Sequence, residues 1–149
     1  DLMIAMFIFS TGLVAFYFYS LNYPNEANDN INKLFYDGEL IAKDILSEGY
    51  PLDWNSEDII KIGILSDNKI NETKLERFYD LSKSDYAKTK VIFNTAFNYY
   101  YFLSENMIIH GESVEGIGSK PQNPENLVKI TRLTIYKEKP ITFTLYIWN

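Results

Sequence analysis

The sequence predicts an α+β fold: a long N-terminal hydrophobic helix followed by a head domain of small helices and antiparallel sheet. Three observations carry this. No charged side chain occurs between Asp1 and Glu26. Residues 26–48 then place apolar side chains at helical spacing. Near the C-terminus, residues 128–136 and 141–148 alternate apolar and polar positions around Lys137-Glu138-Lys139-Pro140, the pattern of a hairpin.

The first element contains Leu2, Ile4, Phe7, Ile8, Phe9, Gly12, Leu13, Val14, Phe16, Phe18 and Leu21 in a run that is almost wholly apolar or aromatic. About 20 helical residues at roughly 1.5 Å each span about 30 Å, the thickness of a bilayer's hydrocarbon core. Ser10, Thr11, Gly12, Ala15 and Ser20 are small positions at which apolar helices approach closely, while Phe16, Tyr17, Phe18 and Tyr19 surround the helix on all sides. Alone, such a helix fits a plain membrane anchor better than a packed core. The division expected is 1–24 as membrane or filament-core helix and 25–149 as head. The chain starts with Asp rather than Met, which predicts a processed product whose short basic leader was cut in front of the apolar stretch.

Pro24 predicts a kink, because proline lacks the N–H and its ring clashes one turn back. Beyond it, Ile31, Leu34, Phe35, Ile41, Ile45 and Leu46 share a helical face that should end near Glu48, with Gly49 in the left-handed position and Pro51 following. Residues 51–55 read as loop, 59–65 as a short strand or helical turn, and Asp67-Asn68 as a turn. Asn71 caps a helix carrying Leu75, Phe78, Tyr79 and Leu81, and Ser84 caps a second short one through Val91. Residues 97–103 form an aromatic strand. Residues 111–126, with three Gly and two Pro, read as a surface loop. In the last strand Ile141, Phe143, Leu145 and Ile147 share a face.

Composition narrows the function. With 14 basic against 20 acidic residues the net charge is -6, and no Lys or Arg precedes Lys33, so no basic stripe serves a nucleic-acid backbone. There is no cysteine, hence no thiolate metal site or cysteine nucleophile. His110 is the only histidine, which removes a two-His metal site and leaves a Ser–His dyad as the hydrolytic option. Gly111-Glu112-Ser113-Val114-Glu115-Gly116 has its second Gly one place too far for a nucleophile elbow. Glu57-Asp58 and the Glu112/Glu115 pair read as solvated acids. No cofactor, metal or catalytic residue is expected. Asn71-Glu72-Thr73 is a glycosylation sequon, and the same Asn71 is its helix's natural cap.

The order of these features resembles type IV pilins: apolar N-terminal helix, proline break, amphipathic continuation, strand-rich head. More particularly the chain is similar to archaeal pilin-like proteins with class III signal peptides. The likeness in the head lies in Asp53-Trp54-Asn55 before Ile62-Gly63-Ile64-Leu65, the Asn71-Glu72-Thr73-Lys74-Leu75 helix start, Thr131-Arg132-Leu133-Thr134 and the closing Tyr146-Ile147-Trp148. The resemblance implies a subunit of an extracellular type IV pilus-like filament for surface attachment or motility, with other copies of itself, a prepilin peptidase and the pilus assembly machinery as partners. It implies membrane insertion before assembly and a place on the cell surface after it. It also admits a minor pilin or an anchored, monomeric surface-binding domain. Bacterial pilins keep a Glu at the fifth mature position, where this chain has Ala5; Asp1 is expected either to serve instead, its carboxylate beside a terminal amine and the positive end of the helix dipole, or to be an ordinary solvated acid at the helix start.

Overall fold

The computed structural model describes residues 1–22 and 26–149, with side chains for 1–21 and 29–149. The kink expected at Pro24 lies outside the described residues. The chain divides into two compact units, Asp1–Asn30 and Ile31–Asn149. The architecture is α+β, as the patterning predicts: an apolar N-terminal helix, then small helices and antiparallel sheets.

In the first unit, α1 runs Leu2–Asn22. Apolar residues lie on every side of it, so it has no preferred face, and every described side chain along it is exposed. Thr11 is satisfied within the helix, its hydroxyl donating to the Phe7 carbonyl one turn back at 2.8 Å.

Helix α2 runs Glu26–Ile45, and its part from Ile31 on, within the second unit, buries Leu34, Ile41, Ala42 and Ile45. Gly38 brings this helix close to the sheet, since a Cβ there would lie 2.6 Å from Ile130 Cδ1 and 2.9 Å from Ile147 Cγ2. Ile31 and Phe35, expected on the buried face, are exposed. The helix stops at Ile45, three residues before the expected end, where the next segment takes the carbonyls at and just past its end: Ile64 N–H donates to Ile45 O at 2.9 Å, and Leu65 N–H to Ser47 O at 2.8 Å. Gly49 is left-handed, at φ +75, as expected.

Residues 59–65 are less regular than expected, with a single Tyr50–Lys61 bridge before β1 (Leu65–Ser66) pairs with β2 (Lys69–Ile70). The turn between them is Asp67-Asn68, both at positive φ. Helix α3 (Glu72–Ser84) is capped by Asn71, whose Oδ1 accepts from Lys74 N–H at 3.1 Å. Helix α4 (Tyr86–Ile92) is capped by Asp85, not by Ser84. Ser84 closes α3 instead, its hydroxyl donating back to the Asp80 carbonyl at 2.8 Å.

Four antiparallel strands form the main sheet in the order β6-β3-β8-β7: β3 Asn98–Leu103, β6 Ile117–Gly118, β7 Leu127–Tyr136 and β8 Lys139–Trp148. Ile141, Phe143, Leu145 and Ile147 are all buried, as their alternation predicts, with Tyr99, Tyr101 and Ile130 on the same side. Phe78 of α3 stacks on Tyr101, centroids 5.5 Å apart, and joins helices to sheet. The segment 111–126 is not all loop. It contains β5 (Glu112–Val114), paired with β4 (Met107–Ile109) through the His110-Gly111 turn, and β6. Its strands are two or three residues long, too short for an alternating pattern to show.

Candidate functional site

Among the described residues, α1 is the one helix long and apolar enough to cross a membrane, over Leu2–Leu21 with mean hydropathy 1.9. Leu2, Ile4, Phe7, Ile8, Phe9, Leu13, Val14, Phe16, Phe18 and Leu21 are each more than half exposed. Gly12 leaves a notch among them, with nothing within 4 Å of where its Cβ would stand. In water about 25 cal/mol is lost for every Å² of apolar surface left wet, so the exposed surface of this helix is costly in water. Asp1 is exposed at its start, its carbonyl accepting from Ala5 N–H at 3.1 Å in the first turn.

The second unit closes a core of its own. Leu34, Trp54, Phe78, Tyr99, Tyr101 and Phe143 belong to one continuous buried cluster. Trp54 donates from Nε1 to the Gly63 carbonyl at 2.8 Å, and Arg77 reaches both the Asp53 carboxylate at 2.6 Å and the Trp54 carbonyl at 2.8 Å. The Asp53-Trp54-Asn55 and Ile62-Gly63-Ile64-Leu65 segments are thus brought together, and Arg77 is a clamp that no pattern in the sequence pointed to. Lys74 is another. It lies buried beside its cap, its Nζ donating to the carbonyls of Glu48 and Leu65, each at 2.8 Å.

Asn71 is half-buried, its amide shared between the cap and a 3.3 Å hydrogen bond from Nδ2 to Ser66 Oγ, so the nitrogen that a glycan would occupy already has a partner. His110 stands at the β4–β5 turn with Nε2 2.9 Å from Asp80 Oδ1 of α3. The hydrogen bond that the ring N–H donates to the Asp80 carboxylate is the main cause that raises its pKa, with the charges of Asp80, Glu76 and Glu112 adding to it. Ser113 lies within β5, opposite Ile108, with no strand-to-helix turn around it. Burial pushes the Tyr99 and Tyr101 phenols well up, so both stay neutral core groups. Among the described residues, no group of three or more His, Asp or Glu is placed to hold a metal ion.

No family model, curated protein or solved structure matches this chain. Fold and surface together define an α+β head carrying an N-terminal apolar helix of membrane-spanning length.

Proposed function

We propose that the chain is a structural subunit of an extracellular type IV pilus-like filament, of the kind found among archaeal pilin-like proteins, and that its role is assembly rather than catalysis. The observation that carries this reading is the Leu2–Leu21 span, free of charge and exposed on every side, beside a head with a complete core of its own. A helix that is apolar all round needs apolar neighbours all round. Lipid supplies them before assembly and the α1 helices of other copies afterwards, with the small residues at Ser10, Thr11, Gly12 and Ala15 allowing close approach. The acidic, tyrosine-rich heads then form the outer wall. Prepilin peptidase and the pilus assembly machinery act on the chain before and during that step, and Asn71 is where a surface glycan would be added.

Negative-stain microscopy of cell-surface shear fractions, with mass spectrometry of the fibre protein, tests this. Uniform fibres made mainly of this chain are expected. A chain that stays in the membrane fraction with no fibres is instead a single anchored surface-binding domain, the role that the self-sufficient core would equally serve.

A further inference from the structure

Asn71 is the acceptor of the Asn71-Glu72-Thr73 sequon, and the fold holds it through both its backbone and its side chain. Its N–H donates to the Ile64 carbonyl at 2.8 Å, and its own carbonyl accepts from Leu75 N–H at 2.9 Å. Its Oδ1 accepts from Lys74 N–H at 3.1 Å, and its Nδ2 donates to Ser66 Oγ at 3.3 Å. Ile64 stands just before β1 and Ser66 within it, while Lys74 and Leu75 lie in the first turn of α3. This one residue therefore joins the β1–β2 hairpin to the helix.

The joint is also held from behind. Lys74 is 6% exposed, and its ammonium donates to the carbonyls of Glu48 and Leu65. Tilting the start of α3 outward would strip that buried ammonium of both acceptors. Thr73, which completes the sequon, is fixed in the same turn. Glycan transfer takes its sugar from a lipid-phosphate-linked oligosaccharide. Asn Nδ2 bonds to the anomeric carbon, the bond from that carbon to the phosphate oxygen breaks, and the lipid phosphate leaves with the electron pair. One Nδ2 proton passes to a base on the transferase. For this, Nδ2 has to leave Ser66 and enter the transferase's active site together with Thr73, and the pinned cap and helix start oppose that movement.

We infer that Asn71 accepts a glycan only while the head is unfolded, and that folding closes the sequon. The product keeps Oδ1 and one N–H on the nitrogen, so a chain modified first still has the acceptor that caps α3. A glycan at Asn71 therefore records a meeting with the transferase ahead of folding, and a chain that folds first stays bare. For its natural setting the inference rests on the surface glycan of the proposed function, whereas the closure itself is a property of the folded head.

A purified single-subunit oligosaccharyltransferase, given a lipid-diphosphate-linked oligosaccharide, tests this on the full chain in detergent, with modification read from the masses of the peptides that carry each site. Ala96→Thr turns Asn94-Thr95-Ala96 into a second sequon at an exposed position, which reports whether the folded head is a substrate at all. Phe78→Asp with Leu145→Asp puts two charges into the fully buried core and unfolds the head, as circular dichroism would show. The folded Ala96→Thr chain should be modified at Asn94 and an order of magnitude more slowly at Asn71. In the unfolded chain the two sites should react at similar rates. Equal rates at Asn71 in the folded and unfolded chains would overturn the inference, as would an Asn71 that stays unmodified in both. A native chain of bare mass would remove the surface glycan from the proposed function and leave the closure in place.

Discussion

Trp54 lies in a segment without regular secondary structure, yet it is fully buried and tied by its indole N–H to the Gly63 carbonyl. A Cβ on Gly63 would come within 2.2 Å of the Gly49 backbone nitrogen, so the two backbones are closely packed here. Trp54→Phe leaves the Gly63 carbonyl buried and unpaired, and urea unfolding of the detergent-solubilised chain should show a loss of about 2 kcal/mol. A change within error would mean that the hydrogen bond adds nothing. His110 carries the pH dependence at this scale. Asp80 raises its pKa in the folded chain, so the stabilisation is fully present below the unfolded value and is lost as pH rises through the folded one. Relative to His110→Gln, the wild type should therefore be more stable near pH 5.5 and lose that advantage by pH 8.5. An advantage that is flat with pH would show that the Asp80 contact does not hold the β4–β5 turn to α3.

Among the elements, the β7–β8 hairpin is the longest ladder, closed by Lys137 and Glu138 at φ 49 and 63. Two left-handed residues make the turn that matches strand twist, but a side chain there costs roughly 1 kcal/mol relative to glycine. Glu138→Gly removes that strain along with an exposed Lys69–Glu138 pair worth little in water, and should raise the unfolding free energy by about 1 kcal/mol. A lower value would show that the ion pair outweighs the backbone. This hairpin was legible in advance because both strands are long enough for alternation to repeat. The cap at Asn71 was legible because capping chemistry is local. The end of α2 was not, because the groups that take the carbonyls at and just past it come from Ile64 and Leu65, about twenty residues away. Ser84 and Asp85 are adjacent and both able to cap, and only the backbone path decides between them. The apolar span of α1 could be read in full from composition. Arg77 and Lys74 could not, since their partners, backbone carbonyls and for Arg77 also the Asp53 carboxylate, lie in loops distant in sequence.

At the scale of the whole molecule, the two units obey different solvents. Ile31–Asn149 contains every residue of the buried core cluster, whereas the described side chains of α1 are all exposed. A chain beginning at residue 24 should accordingly be soluble, folded and monomeric, because nothing in that core is borrowed from α1. Circular dichroism and sedimentation check this, and an aggregated or unfolded product would show that the head needs the helix. The converse test places an ionised group inside α1. Gly12→Glu or Val14→Asp costs about 2.5 to 3.5 kcal/mol in a hydrocarbon surround, enough to disfavour both insertion and bundling, while leaving the head's core untouched. Filament yield should fall to background as the truncated head keeps its fold. Normal fibres from either variant would mean that α1 is not the packed core, and an anchored, unassembled chain would then account for the same exposed helix.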